Sequence, residues 1–330
     1  MKKLVLFSLA LALVVIILGA YTRLTDAGLG CPDWPGCYGH LTVPLSEDKV
    51  AAANAAYPER PVEAHKAWNE MIHRYFAGTL GLCILAISIL ALVRREPSQP
   101  KKLPVFLLGL VIFQGALGMW TVTLNLLPVV VMGHLLGGFT VLSCLFLLYL
   151  RLGGQSQAVT HQSTARLPLI AVVGMVILVA QIALGGWTSA NYAALACTEF
   201  PICEGDWSSR IDFAGAYSVP EAVNYEFGAH DYGERMTMHI VHRVGAVVTF
   251  LYLAWMALHL MRGRHSGTMK AAGSVLLSVL FVQVGLGISN VAFSLPLFIA
   301  VAHNAVAACL LLVMVWITYS LYQSQGASHG

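Results

Sequence analysis

The amino-acid sequence predicts an all-α integral membrane protein whose eight transmembrane helices form two tandem four-helix bundles of parallel orientation. Three observations predict this fold: the composition, the number of long apolar segments and an internal duplication. Of the 330 residues, 58% are hydrophobic and 11% are charged, and the mean hydropathy is +0.73. Soluble domains are typically about 45–50% apolar and about 25% charged. The composition therefore places the chain in a lipid bilayer.

Eight segments are long enough to cross the bilayer, which takes about 20 apolar residues per helix. In chain order they are residues 4–22, 68–92, 104–124, 129–150, 167–189, 236–261, 271–292 and 296–321. The first segment follows Met1-Lys2-Lys3, as the apolar part of a signal peptide would. It is longer than such a segment usually is, and the fifth segment is its internal counterpart. We therefore expect the first segment to be retained as a helix.

Basic residues predict the orientation of these helices, because Lys and Arg concentrate on the cytoplasmic side. Those on one side are Lys2, Lys3, Arg94, Arg95, Lys101, Lys102, Arg151, Arg166, Arg262, Arg264 and Lys270. Of the 16 acidic residues only Glu96 lies on that side, and the others lie in or beside a first long loop, 23–67, and a second long loop, 190–235. Both termini should be cytoplasmic and both long loops outside. The basic residues form no separate patch, so the net charge of +3 predicts no nucleic-acid partner.

The second half of the chain repeats the first. LGAYTRLTDAGLGCPDWPGC (18–37) aligns with LGGWTSANYAALACTEFPIC (184–203), 166 positions later. After the long loops the separation becomes 169 positions, which aligns His73-Arg74 with His242-Arg243, Gln114 with Gln283, Leu117-Gly118 with Leu286-Gly287, and His134 with His303. Because four crossings return the chain to its starting side, both halves should have the same orientation. We divide the chain into residues 1–153 and 154–330.

Each half carries two histidines at similar depth on separate helices. His73 lies one or two turns inside the second segment, and His134 follows Pro128 by six residues on the fourth. His242 and His303 repeat the arrangement. Polar side chains inside a membrane are costly and are usually functional. Two imidazoles facing each other within a bundle can supply both axial ligands of a haem iron, so the pattern predicts one haem in each half.

Other interpretations of these residues remain open. A single intramembrane histidine is often a helix–helix hydrogen-bonding residue, and zinc is a competing metal, although a zinc site needs three or four ligands. Arg74 and Arg243 would reach the polar rim of the bundle, where they could bind haem propionates. The alternative is that they are basic side chains extending towards water from helix ends.

One position differs between the halves in an informative way. Glu70 lies three residues before His73, on the same helical face, whereas His239 lies three residues before His242. A carboxylate beside one pair and an imidazole beside the other predict different tasks for the two pockets. At the edge of the loop, Glu70 could instead be merely solvated.

The seven cysteines fall into two groups. Cys31 with Cys37, and Cys197 with Cys203, lie in the long loops, where an oxidising environment favours disulfides. Each pair would close a short loop, as a structural clip or as a redox-active group. Cys83, Cys144 and Cys309 lie within predicted helices and are interpreted as packing residues.

Several of these motifs resemble the haem A synthase family, in its cysteine-bearing bacterial branch. GAYTRLTDAGLGCPDWPGCYG resembles the first long loop of that branch and GGWTSANYAALACTEFPIC the start of its second half. EMIHR, GHLLGG, HIVHR and AHNAVA resemble its four histidine-bearing helices. The resemblance covers nearly the whole chain.

The resemblance implies an enzyme of the bacterial cytoplasmic (inner) membrane that converts haem o into haem a for cytochrome oxidase assembly. A ring methyl group would be oxidised through the alcohol and the hydrated aldehyde to the formyl group. The family's haem b cofactor would lie between His242 and His303, and the substrate haem between His73 and His134. Glu70 matches the family's essential carboxylate. Since some members lack the cysteines, the disulfides should be structural or modulatory.

The resemblance leaves several partners open. The enzyme that produces haem o is a candidate partner for substrate delivery, and the electron acceptor is unassigned. Two other functions compete with the synthase: a non-catalytic di-haem electron carrier of the b type, which has no special use for Glu70, and a transporter built from parallel repeats. No role is predicted for residues 208–233.

Overall fold

The computed structural model describes residues 1–94, 100–153, 166–263 and 265–326, and within these ranges the chain is helical with no β-strand. The α-helices, in chain order, are α1 (Lys2–Leu24), α2 (Glu47–Ala56), α3 (Ala64–Val93), α4 (Lys102–Thr123), α5 (Pro128–Leu152), α6 (Leu167–Ala190), α7 (Phe213–Ala216), α8 (Tyr232–Arg262), α9 (Gly267–Ala292) and α10 (Leu297–Gly326). A 3₁₀ turn spans Ser208–Arg210. The short helices α2 and α7 and this turn lie in the long loops.

Eight helices in the described part of the chain are long and apolar enough to cross a membrane, which confirms the predicted all-helical membrane fold. Their bounds agree with the predicted segments to within a few residues. The largest differences are extra residues at the helix ends, and for the start of α8 the structure shows the reason. Asp231 and Glu234 form a reciprocal capping box, which starts the helix at Tyr232 rather than 236. Arg95, Glu96, Arg264 and the predicted start of the second half at residue 154 lie outside the described residues.

Helix contacts are consistent with two four-helix units. In the first half α1 and α4 each pack against both α3 and α5, and in the second half α6 and α9 each pack against both α8 and α10. Between the halves α1 packs on α10, α5 on α6 and α5 on α10. In the repeat α1 is equivalent to α6 and α10 to α5, so the α1–α10 and α6–α5 contacts are equivalent to each other. The first and fourth helices of each half therefore form a pseudo-two-fold interface.

The turns between helices repeat as well. Asn125 and Leu126, between α4 and α5, have φ values of 50° and 62°, and Ser294 and Leu295, between α9 and α10, have values of 55° and 61°. This left-handed backbone is uncommon for residues other than glycine. Its recurrence at equivalent positions agrees with the duplication seen in the sequence.

The second long loop reaches across to the first half. The Tyr225 backbone N–H donates to the Asn125 carbonyl (3.0 Å), and the Asn125 side-chain amide donates to the Val223 carbonyl (2.9 Å). The Tyr225 side chain packs against Leu29 and Leu126. Part of the 208–233 segment, for which the sequence predicted no role, thus joins the two halves on the long-loop side.

Candidate functional site

The two histidines of the first half face each other inside its bundle. His73 on α3 and His134 on α5 have ring centroids 6.4 Å apart and ring planes at 83°. Both Nδ1 atoms are buried without a hydrogen-bond partner among the described residues. The predicted pairing of these residues across the bundle is therefore present in the structure.

This spacing suits a shared metal ion. Two imidazoles that bind one ion from opposite sides, each through a bond of about 2.0 Å, have ring centres roughly 6 Å apart. Unpartnered buried polar groups are rare in proteins and call for an explanation. The His73 and His134 imidazoles thus fit a haem whose iron they would bind axially.

Each of the four histidines packs against a glycine of a neighbouring helix. A Cβ atom added to Gly19 would lie 3.0 Å from His73 Cε1, and one added to Gly118 would lie 3.3 Å from His134 Cε1. In the second half, a Cβ atom added to Gly185 would lie 3.0 Å from His242 Cε1, and one added to Gly287 would lie 3.1 Å from His303 Cε1. These glycines are related by the repeat. Each one leaves space for an imidazole at an equivalent place in its bundle.

Side-chain amides lie beside both histidines of the second pair. The Gln181 side-chain amide lies 3.0 Å from His242 Nδ1 and donates to the His242 carbonyl at 3.0 Å. The repeat places Val15 at the position of Gln181. Gln283 Nε2 lies 3.4 Å from His303 Nε2. Outer-shell partners fix the orientation of metal-binding imidazoles, and Gln181 is placed to do so for His242.

No group of three or more His, Cys, Asp and Glu side chains that could hold a metal ion occurs in the described ranges. The donor sets available there are the two histidine pairs. Pairs suit axial haem ligation better than a tetrahedral zinc site.

Glu70 is buried and fixed on two sides. Its carboxylate accepts a hydrogen bond from the Cys31 backbone N–H (2.9 Å) and forms an ion pair with Arg74. Gly30, just before Cys31, lies so close to α3 that a Cβ atom there would be 2.5 Å from the Lys66 backbone. Glu70 therefore lies where the first long loop packs on α3, one turn from His73, and the merely solvated alternative is inconsistent with its burial.

The two arginines bind their long loops. Arg74 donates to the carbonyl groups of Asp33 (2.9 Å) and Gly36 (2.5 Å), and Arg243 donates to those of Cys197 (2.6 Å) and Glu199 (2.7 Å). Arginine has five N–H donors, so these bonds leave others for a carboxylate. The contact with haem propionates stays a prediction.

Both predicted disulfides are present, Cys31–Cys37 and Cys197–Cys203. Among the described residues, Cys83, Cys144 and Cys309 are free thiols of intermediate burial, as expected for packing residues. Each disulfide closes the loop that its arginine binds. In the second half, His239 takes the place of Glu70, and its Nε2 accepts from Arg243 Nε at 3.3 Å.

The four glycines and Gln181 were not predicted as site residues from the sequence. A signal for the glycines was present, since Gly19 aligns with Gly185 and Gly118 with Gly287 in the duplicated stretches. Gln181 has no counterpart in the repeat, so only the fold could place it beside His242.

The fold and the site define a class: an all-helical, multi-pass membrane protein with two repeat-related histidine pairs inside its helix bundles. Comparison with known proteins narrows it further. Residues 2–315 match the model of the family described as Cytochrome oxidase assembly protein, COX15-CtaA. The chain belongs to this family.

Curated relatives agree along the full length. A heme A synthase of Shewanella oneidensis is 50% identical over 323 residues, which cover 97% of this chain and 96% of the relative. Heme A synthases of Chelativorans sp. and of Bradyrhizobium sp. (strain BTAi1) are each 28% identical, covering 90% and 96% of this chain and 84% and 88% of the relatives.

Proposed function

We propose that this protein is a haem A synthase, a membrane oxidoreductase that converts a ring methyl group of haem o into the formyl group of haem a for cytochrome oxidase assembly. Family membership and the full-length similarity to heme A synthases support the activity. The observation that carries the proposal at the level of residues is the pair of imidazoles at 6.4 Å, each beside a glycine, with an equivalent glycine–histidine arrangement in the second half.

The two halves have separate tasks in this proposal. Residues 1–153 hold haem o between His73 and His134, and residues 154–330 hold a haem b cofactor between His242 and His303. Gln181 supports this division, because it lies 3.0 Å from His242 Nδ1 and can fix the orientation of that ring, whereas the first half has Val15 at its position. When bound, haem b supplies a redox-active iron that can accept and pass on electrons.

Glu70 supports the assignment of the reacting haem to the first half. Its buried carboxylate lies one helical turn from His73, whereas the second half has His239 there. Glu70 stabilises positive charge that develops at the oxidised carbon, or orients a water molecule beside it. Arg74 and the Cys31 N–H hold the carboxylate in place, which lowers the reorganisation needed during the reaction. Arg74 and Arg243 also bind haem propionates through their remaining N–H groups.

The proposed setting is the bacterial inner membrane, with both termini in the cytoplasm and both long loops outside. The apolar exposed residues of the long helices face lipid. Haem o is the substrate, the enzyme that produces it is a candidate partner for delivery, and the electron acceptor is not assigned.

The test is to produce the protein together with a source of haem o in cells that lack their own haem A synthase, and then to extract and separate its haems. Haem b together with haem a or its alcohol intermediate is the expected result. Haem b with unaltered haem o would reject the synthase and leave the di-haem electron carrier. A purified protein without any haem would reject both and favour the transporter.

A further inference from the structure

The boundary between α3 and α4 in the first half, which we call the α3–α4 seam, contains three glycines with empty space beside them. A Cβ atom added to Gly78, Gly81 or Gly115 would meet no atom of the described chain within 4 Å. Gly78 and Gly115 are exposed, and Gly81 is partly buried. The seam is closed towards the loop that joins the helices, where Ser88 Oγ on α3 donates to the Pro104 carbonyl on α4 at 2.8 Å.

Two of the three glycines lie at the same level on the two helices of this seam. The helices are antiparallel, and Ser88 lies level with Pro104. Gly78 is ten residues before Ser88 and Gly115 is eleven residues after Pro104, so the two glycines lie at nearly the same level. At a rise of about 1.5 Å per residue, Gly78 is about 7.5 Å along the helix from His73. The opening thus lies one to two turns deeper in the membrane than the first histidine pair.

The second half is filled at the equivalent positions. The repeat aligns Gly78 with Val247, Gly81 with Phe250 and Gly115 with Val284. The Phe250 ring meets that of Phe281 edge to face, with centroids 5.6 Å apart, and this pair closes the α8–α9 seam. In the first half the positions of Phe281 and Phe250 are taken by Ile112 and Gly81. Gly285 on α9 is likewise exposed, with no atom of the described chain within 4 Å of an added Cβ, so the difference between the halves is the Phe250–Phe281 contact itself.

A second difference between the halves, independent of the glycines, is a buried side-chain amide beside Gly115. Gln114, next to Gly115, is buried inside the first bundle, and its Nε2 has no hydrogen-bond partner in the described part of the chain. Its counterpart Gln283 has its Nε2 3.4 Å from His303 Nε2. The Nδ1 atoms of His73 and His134 in the same bundle are likewise unpartnered among the described residues, as is His303 Nδ1 in the second bundle. Buried donors without partners mark a place that a bound group would satisfy.

We propose that the α3–α4 seam at Gly78, Gly81 and Gly115 is the subsite that takes the isoprenoid side chain of haem o and lets it extend from the first pocket into the bilayer. This inference rests on the proposed function. Haem o carries a long apolar chain that haem b lacks, and an apolar chain needs no polar partner among lipid tails. Only the substrate pocket needs such an opening, and at the equivalent place in the second half the Phe250 and Phe281 rings meet. The seam thus selects haem o for the first pocket, and the filled α8–α9 seam excludes it from the second.

The test replaces the glycines of the first half with the residues found at the equivalent positions of the second half. The variants are Gly81→Phe and the combination Gly78→Val, Gly81→Phe, Gly115→Val. Gly109→Leu is the matched control, because Gly109 is also exposed on α4 with no atom of the described chain within 4 Å of an added Cβ, but lies outside the seam. Each protein is purified from cells that make haem o, and the bound haem o plus haem a and the bound haem b are measured separately.

The expected result is a loss of about tenfold or more in haem o plus haem a for both seam variants, with haem b at the wild-type level. The Gly109→Leu protein should match the wild type in both. Seam variants that retain wild-type haem o would overturn the inference, while haem a formed by the wild type would leave the proposed function standing. If the triple variant loses haem b as well, Gly81→Phe alone decides, because unchanged haem b content reports that the protein has folded.

A second measurement is independent of turnover. Purified wild-type and Gly81→Phe proteins are titrated with haem o and with haem b, and binding to the first pocket is followed by absorbance. Gly81→Phe should weaken the binding of haem o about tenfold and leave that of haem b unchanged. Equal weakening for both haems would show that the substitution damages the pocket and would overturn the inference.

Discussion

Arg23 donates a hydrogen bond from Nη2 to the backbone carbonyl of Ser189 (2.5 Å), the residue that occupies its own position in the other half, 166 residues later. Next to this contact the Tyr192 hydroxyl donates to Asp26 (3.2 Å), and these two residues are also related by the repeat. The guanidinium of Arg23 lies 3.7 Å from the centre of the Tyr192 ring and 3.9 Å from Asp26. Pairs of equivalent residues touch only where a pseudo-two-fold axis passes, so this cluster marks the axis.

Replacing Arg23 with Ala should weaken the junction between the halves. The substitution removes a partly buried hydrogen bond, a cation–π contact and an ion pair, and we expect a loss of about 2 kcal/mol in the free energy of unfolding. Thermal unfolding of the detergent-solubilised protein measures the effect as a lower melting temperature. Lys49→Ala, which removes an exposed cation from α2, is the control and should leave the melting temperature unchanged. An unchanged melting temperature for Arg23→Ala would contradict the structural importance of the cluster.

Two substitutions of Glu70 separate its charge from its contacts. Gln retains an acceptor for the Cys31 N–H but removes the negative charge, whereas Ala removes both. If the carboxylate acts on developing positive charge, both variants should lose about a hundredfold or more in haem a formation while keeping haem b. Haem separation by chromatography measures this. Substantial haem a from Glu70→Gln together with none from Glu70→Ala would instead assign Glu70 to anchoring the loop.

Glycine-to-valine substitutions should empty one pocket at a time. The Cβ atom alone would lie 3.0 Å from the histidine at both Gly19 and Gly185, and the branched side chain would displace the imidazole. We expect Gly185→Val to lose haem b, and Gly19→Val to keep haem b but fail to bind haem o. The absorbance spectrum and the extracted haems report both. The opposite pattern would reverse the proposed assignment of the pockets.

Removing the Cys31–Cys37 disulfide should lower the stability of the fold but leave haem a formation largely intact. In the chain-entropy account a crosslink over so short a loop contributes about 2 kcal/mol. The Cys31→Ser, Cys37→Ser protein should therefore unfold at a lower temperature and still form haem a, because Arg74 continues to bind the loop carbonyls. Replacing Cys83 with Ser serves as a control for the loss of a thiol. Complete loss of haem a in a folded, haem b-containing double variant would favour the redox-active alternative.

The proposed topology can be tested with cysteine labelling from one side of the membrane. A cysteine introduced at Ser209, in the second long loop, should react with a membrane-impermeant maleimide added to intact cells. A cysteine introduced at Lys101, before α4, should react only after the membrane is permeabilised. If the cysteine at Ser209 reacted only after permeabilisation, the assigned orientation would be wrong.

Patterns that repeat along the chain allowed much of the structure to be predicted. The eight membrane helices follow from apolar length, and the depth of His73 and His134 follows from their distance to the helix starts. The disulfides follow from the alignment of Cys31 with Cys197 and Cys37 with Cys203. These features are local or are repeated, so a single sequence contains the information.

Contacts between the halves were not predictable in the same way. Neither the packing of Tyr225 on Leu126 nor the bond from Arg23 to Ser189 follows from any spacing, because each joins segments whose relation exists only after folding. Arg74 illustrates a further limit. The sequence placed it at the rim of the bundle, but the carbonyl groups that it binds became apparent only when the path of the first long loop was known.

The pseudo-two-fold junction also has a consequence for the origin of the chain. Two-fold interfaces are self-complementary, so one four-helix unit with these contacts could pair with an identical copy of itself. Gene duplication and fusion of such an ancestral homodimer would have kept the junction while freeing each copy from the constraint of symmetry. Phe250 in one unit and Gly81 in the other illustrate this divergence. Two identical binding sites can diverge until one keeps its ligand permanently and the other binds and releases a different one.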